Sequence, residues 1–183
     1  MPSVYFCCIK MVNTIKEGLY MAAKKKRNIA VTLECFVKKD GKYLMLHRSP
    51  NKRIMPGVWM APGGHREFNE GLFACARREV KEETGLDIKN LKVIATGNAY
   101  LQDLDQEFFF HFVEADYASG EVIPEPENGE LAWLSPAEML EKENMLAEIH
   151  AILPNLFNKE GKVISYRAVY KSGNELLEIE IEK

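Results

Sequence analysis

The sequence predicts an α+β domain that ends in a β-hairpin. Three observations carry this. Short runs rich in β-branched and aromatic residues recur between residues 29 and 134. A single well-marked helix, 70–83, interrupts them, and helical sequence returns at Pro136. Two alternating segments then flank Lys171-Ser172-Gly173-Asn174, the pattern of paired strands about a turn. With 183 residues, 46% of them hydrophobic and 28% charged, the chain is ordinary globular material, and its length fits one domain with an extension.

The first 27 residues differ from the rest. Val4-Tyr5-Phe6-Cys7-Cys8-Ile9 leads through mixed sequence to Lys24-Lys25-Lys26-Arg27. Met21-Ala22-Ala23-Lys24 would make an ordinary start, so residues 1–20 read as a misplaced start or a loosely held arm. Residues 1–27 are taken as an N-terminal extension, 28–158 as the domain and 159–183 as a hairpin extension. Within the domain, 29–37 reads as a strand, Asp40-Gly41 as a hairpin turn and 43–47 as the return strand. A polar loop with Pro50 and Pro56 follows, then a turn at Ala61-Pro62-Gly63-Gly64. Helix 70–83 has Asn69 as its expected N-cap, Gly85 as its stop, and Leu72, Phe73, Ala76 and Val80 as its apolar stripe. Strands are expected near 91–99, 107–115 and 130–134. Helical sequence follows from Pro136 to about 158, broken near Asn144, and the closing hairpin is formed by 162–170 and 176–181.

Composition excludes some functions. No apolar run approaches the roughly 20 residues of a membrane span. Lys plus Arg is 24 against 27 Asp plus Glu, a net charge of −3, which argues against the nucleic-acid backbone as the main partner. The four cysteines show no zinc-like spacing and read as small apolar residues in a reducing compartment. With no secretory signal in evidence, a cytoplasmic protein is inferred.

The chemistry lies in residues 64–86, GHREFNEGLFACARREVKEETGL. Glu79, Glu82 and Glu83 stand at i, i+3 and i+4 and share one helix face. Arg78, a turn before Glu82, can hold its carboxylate. Adjacent carboxylates near a helix C-terminus repel one another and oppose the dipole. Such a group points to a bound hard cation, Mg²⁺ or Mn²⁺, with a solvated acidic face as the alternative.

The same stretch resembles the Nudix box, G-x5-E-x7-R-E-U-x-E-E-x-G-U. Gly64, Glu70, Arg78, Glu79, Glu82, Glu83 and Gly85 fill every fixed position, and Val80 and Leu86 fill the two aliphatic ones. The resemblance implies a mixed β-sheet between helices, an α-β-α sandwich, and hydrolysis of a nucleoside diphosphate linked to another group. It implies Glu79, Glu82 and Glu83 as metal ligands, joined by the Gly63 carbonyl. Gly63 and Gly64 would let the backbone approach metal and phosphates. Arg78 would orient the carboxylates, and Glu70 would support them from behind. The general base in this family varies. Glu127, six residues before Trp133, is favoured as base or extra ligand, and Glu130 comes second. Arg48 sits where MutT-like relatives meet the phosphates. Trp59 sits where purine triphosphate sanitisers shape the base pocket, although Met60 stands where some of those enzymes read the base with a polar residue.

These readings lead to a Mg²⁺-dependent hydrolase. It would cut a nucleoside triphosphate, oxidised or non-standard, into monophosphate and pyrophosphate. The alternatives are another nucleoside diphosphate derivative (a nucleotide sugar, coenzyme A or an RNA 5′ end) and a sensing module that does not cut. The expected partner is a small nucleotide. The C-terminal hairpin is read as a cap over the site, an added sheet edge, or a surface for a second copy in a homodimer.

Overall fold

The computed structural model describes residues 27, 29–123, 127–157 and 161–182. Residues 1–26, with Cys7, Cys8 and Lys24-Lys25-Lys26 of the basic run, lie outside them. The β-branched run at the start of the domain forms β1 (Ile29–Lys39), which turns into β2 (Lys42–Arg48). Lys38 pairs with Tyr43 and Lys39 with Lys42, and Asp40 and Gly41 both take positive φ, 50° and 77°. Two left-handed central residues match the twist of a two-residue hairpin, which is why Asp-Gly serves here.

Two short strands follow, β3 (Trp59–Met60) and β4 (Gly63–His65). Next come α1 (Leu72–Thr84), β5 (Asp87–Leu101), β6 (Gln106–Ser119) and β7 (Gly129–Leu134). The chain continues through α2 (Pro136–Glu141) and α3 (Ala147–Leu156) into β8 (Ile164–Tyr170) and β9 (Leu176–Glu182). The strands make one mixed sheet in the order β3-β2-β1-β6-β5-β8-β9, with β4 laid against β1 and β7 against β2. β1–β6 and β5–β8 are parallel pairs, and the other named strand pairs are antiparallel.

Both faces of the sheet are covered. Alternate residues of β1, Leu33, Cys35 and Val37, pack with Ala76 and Val80 of α1. Phe36 joins the opposite core with Ile149, Ile152 and Leu153 of α3. The fold is therefore an α-β-α sandwich with an open mixed sheet, as the resemblance implied. Each large apolar side chain buried in these layers stabilises the fold by about 1.5–3 kcal/mol. Cys35 and Cys75 are free thiols inside the packing.

Several elements differ from expectation. The N-cap of α1 is Gly71, and the helix starts at Leu72. Asn69 instead takes a left-handed φ of 58° in the preceding turn, where Glu70 accepts the Glu67 N–H at 2.9 Å. That side chain–backbone bond keeps 67–70 in a turn and delays the helix. Phe73 is exposed, and the buried stripe instead includes Cys75, which packs with Ala76 and Val80 against β1. β5 and β6 run longer than 91–99 and 107–115, since their mutual ladder carries past the apolar residues. The turn 61–64 contains part of a strand, as β4 pairs with β1. β8 starts at Ile164, not at residue 162.

The C-terminal hairpin widens the sheet, with β8 on β5 and β9 outermost. Its inward residues Tyr166, Ala168 and Tyr170 are buried. Its outer strand carries Glu178 and Glu180, both paired with Arg167, and charges of this kind blunt an exposed edge. Among the described residues, no helix is long and apolar enough to cross a membrane.

Candidate active site

The glycines at β4 are fixed by crowding. A Cβ on Gly63 would lie 2.1 Å from the Leu33 carbonyl oxygen, and one on Gly64 would lie 2.5 Å from Glu79 Oε1. The backbone is thus wedged between β1 and α1. The Gly63 N–H donates to Glu83 Oε2 at 2.9 Å, which ties this loop to the end of α1.

Arg78 organises the acids around it. Its Nε and Nη2 donate to the two oxygens of Glu70, each at 2.9 Å. Its Nη1 donates to Glu79 at 2.9 Å and to Glu82 at 3.2 Å, and its Nη2 also reaches the His65 carbonyl at 3.1 Å. The two-pronged grip of Arg78, helped by the Glu67 N–H, holds the Glu70 carboxyl down to about 2.

Glu79, Glu83, Gly63 and Gly64 share a cavity of about 480 Å³ with Arg48 and Lys52. Glu83 is pushed up to about 7, first by burial and then by the Glu79 charge, against the Gly63 N–H, Arg48 and Lys52. Arg48 Nε is held by the Ile54 carbonyl at 2.9 Å, and Lys52 Nζ by Asn128 Oδ1 at 2.9 Å. Glu82 points outward, is largely exposed and does not line the cavity. Among the described residues, no three acidic, histidine or cysteine side chains converge as a finished metal cage. The donor set still fits a hard divalent cation. Two carboxylates and a crowded glycine backbone meet at one wall, and the mutual repulsion of Glu79 and Glu83 is the kind a cation relieves.

The other sequence-selected residues divide. Arg48 lines the cavity, and so does Met60. Trp59 does not: one face stacks on His47 at 4.8 Å and Lys142 lies over its ring at 4.6 Å. Its backbone has a structural task, exchanging bonds with Asn144 and Leu146 on the approach to α3. Glu127 and Glu130 are exposed and stand outside the cavity lining, Glu127 beside Asn128 and Glu130 opposite His47 in the β2–β7 ladder.

Sequence reasoning passed over Thr32, Glu34, Lys52 and Glu148, all of which line the cavity. Two had a legible signal. Glu34 is the one charge in an otherwise uncharged strand run, and Glu148 shares a helix face with Ile152.

A family model described as the NUDIX domain matches residues 26–156. The chain belongs to the Nudix family. One relative, an NAD-capped RNA hydrolase of Stutzerimonas stutzeri, is 40% identical over 88 residues, covering 48% of this chain and 29% of that protein. An m7GpppN-mRNA hydrolase of Xenopus laevis is 33% identical over 87 residues, covering 47% of this chain and 29% of its own. The matched region is thus under a third of the length of these two relatives. Among solved structures, the MutT protein of Bacillus halodurans superposes with a TM-score of 0.71 at 24% identity, covering 84% of this chain and 97% of that one. The last likeness concerns the fold.

Proposed function

We propose that this protein is a divalent-cation-dependent pyrophosphohydrolase that cuts a nucleoside triphosphate to a nucleoside monophosphate and pyrophosphate. The observation that carries this reading is one cavity lined by Glu79, Glu83, Gly63 and Gly64 on one side and the cations Arg48 and Lys52 on another. Glu79 and Glu83, with the Gly63 carbonyl, would hold Mg²⁺ or Mn²⁺, and Glu82 would join them by turning from Arg78. Bound there, the cation neutralises phosphate charge and lowers the pKa of an attacking water. Arg48 and Lys52 bind phosphate oxygens. Arg78 keeps the carboxylates aimed, and Glu70 keeps Arg78 in place. Glu127, next to the Asn128 that holds Lys52, is the proposed general base.

A second reading is removal of a nucleotide cap from RNA, favoured by the likeness to an NAD-capped RNA hydrolase and an m7GpppN-mRNA hydrolase. The chain's net charge of −3 gives it no help. A Mg²⁺-dependent product screen by mass spectrometry separates the two. It would cover ordinary and oxidised nucleoside triphosphates, nucleotide sugars, coenzyme A, and capped or triphosphorylated RNA. Selective turnover of a triphosphate to monophosphate and pyrophosphate is the expected result. Turnover of capped RNA alone would transfer the assignment to the second reading. No turnover by folded protein would overturn both.

A further inference from the structure

α3 begins without a cap of its own. Its N-cap residue is Leu146, whose side chain accepts nothing, so the first N–H groups of the helix need acceptors from elsewhere. Two acceptors come from the C-terminal hairpin. Asn174 Oδ1 accepts the Ala147 N–H at 2.9 Å, and the Tyr170 hydroxyl accepts the Glu148 N–H at 3.2 Å. Asn174 Nδ2 also donates to the Met145 carbonyl at 3.0 Å. One side-chain amide thus takes the carbonyl before Leu146 and the N–H after it, using its acceptor and its donor together. On the other side, the Leu146 N–H donates to the Trp59 carbonyl at 2.8 Å, and the Trp59 N–H donates to the Asn144 carbonyl at 2.9 Å. Residues 144–147 are therefore gripped between β3 and the hairpin turn.

The turn that presents Asn174 is itself braced. The Lys171 N–H donates to the Glu175 carbonyl at 3.0 Å, the Glu175 N–H to the Ser172 carbonyl at 2.9 Å, and the Asp103 N–H to the Lys171 carbonyl at 3.2 Å. The gripped segment also borders the cavity. Leu146, Glu148 and Tyr170 line it and are almost fully buried, at 3%, 2% and 0% exposure. The Glu148 carboxyl in turn interacts with the Tyr166 hydroxyl of β8, a further hold from the same hairpin. Glu79 and Glu83 take their bonds from Arg78 and the Gly63 N–H. The bonds of the hairpin thus bear on the shape of the cavity and not on the acids of α1.

We propose that Asn174, which does not itself line the cavity, is a positioning residue: it fixes the start of α3 so that Leu146 and Glu148 stand in place for the substrate, and the C-terminal hairpin thereby sets substrate affinity. This rests on the nucleotide-hydrolase reading and adds to it a residue from outside the site. The physical argument is one of population. Without Asn174, the Ala147 N–H and the Met145 carbonyl must turn to water or stay unpaired, and the first turn of α3 loses its fixed position. A wall that is in place for only a fraction of the time weakens apparent binding by that fraction. An interaction lost equally from the ground state and the transition state raises KM and leaves kcat alone. A residue that only stabilised the fold would lower the melting midpoint and leave KM unchanged at temperatures well below it.

The test has a binding arm and a turnover arm, with ATP, dGTP and 8-oxo-dGTP as probes. Calorimetry with Ca²⁺ in place of Mg²⁺ measures affinity, and steady-state assays with Mg²⁺ measure kcat and KM, both well below the melting midpoint. Asn174→Ala is expected to weaken binding and raise KM by at least about fivefold. Its kcat should stay within about twofold of wild type. Asn174→Asp keeps the acceptor for the Ala147 N–H and is expected to recover part of the loss. Tyr170→Phe removes only the acceptor for the Glu148 N–H and should shift KM the same way by less. A lowered midpoint with unchanged KM in Asn174→Ala, or a fall in kcat at constant KM, would overturn the proposal. Were Asn174→Ala unable to fold, unchanged KM in Tyr170→Phe would overturn it. Binding weakened by Asn174→Ala, with no turnover of any triphosphate by wild type, would overturn the hydrolase reading alone. No binding of any probe by wild type would overturn both.

Discussion

Glu79 and Glu82 lie three residues apart on α1, yet Glu79 faces the cavity and Glu82 faces solvent through Arg78. The spacing read from the sequence put them on one face, but that face is broad, and the β4 glycines cover part of it. On the proposed mechanism, Glu83→Gln should lower kcat by about 10²–10⁴-fold and weaken Mg²⁺ binding in calorimetry. Glu82→Gln should also lower kcat if the side chain turns inward. Unchanged turnover and metal affinity in both would sink the metal-site assignment. Gly63→Ala forces a Cβ onto the Leu33 carbonyl and should cost roughly 2–4 kcal/mol in denaturant unfolding, because backbone there has nowhere to move. Glu148 gives a pH signature. Its pKa in the fold is about 8, raised from the ordinary 4.5, so the folded state holds a proton that the unfolded state gives up. Its contribution is intact below about pH 4.5 and falls as the pH rises towards 8. Glu34, Tyr166 and Tyr170 face it, and burial first and then the charge of Glu148 raise all three. Thermal unfolding of wild type should therefore weaken more between pH 5 and 8 than that of Glu148→Gln. Parallel profiles would remove Glu148 from the account.

At the scale of elements, the sequence was most legible where a local signal and the fold agree. Asp40-Gly41 marked the hairpin, and Gly85 closes α1 in the left-handed conformation at φ 77°. Ser135 and Glu138 cap α2 reciprocally, with Pro136 at its first position, so that helix began where Pro136 placed it. It was least legible where pairing is remote. Gly63–His65 looks like a turn, and only β1 makes it a strand. The closing hairpin was recognisable from its alternation, but its neighbour was not. Because β8 lies parallel to β5 and buries Tyr166 and Tyr170, removal of residues 162–183 should strip one side of the α3 core. Thermal unfolding of that truncation should show a midpoint lower by more than about 10 °C or a loss of cooperativity. A midpoint within a few degrees of wild type would mean that the hairpin is an accessory strand.

Across the whole molecule, the cavity is made by segments that meet only on folding: β1, the end of β2 and the loop after it, β3, β4, α1, β5, β6, α3 and β8. The box residues were readable because they are contiguous and their spacing follows the helix period. Mixed sheet order, the turning of Trp59 into a strap covered on both faces, and the exclusion of Glu127 and Glu130 from the cavity lining were not. Glu34 and Glu148 show the reason in its plainest form. Each looks like a single misplaced charge in an apolar segment, and neither segment carries information about the other. Local periodicity fixes strand, helix and the acidic face of α1, since those depend on residues a few positions apart. The placement of two buried carboxyls in one cavity depends on the parallel joining of β1 to β6 and β5 to β8, and on α3 closing over that face. Those are long-range contacts, set by the packing of both cores together, and no spacing along the chain encodes them.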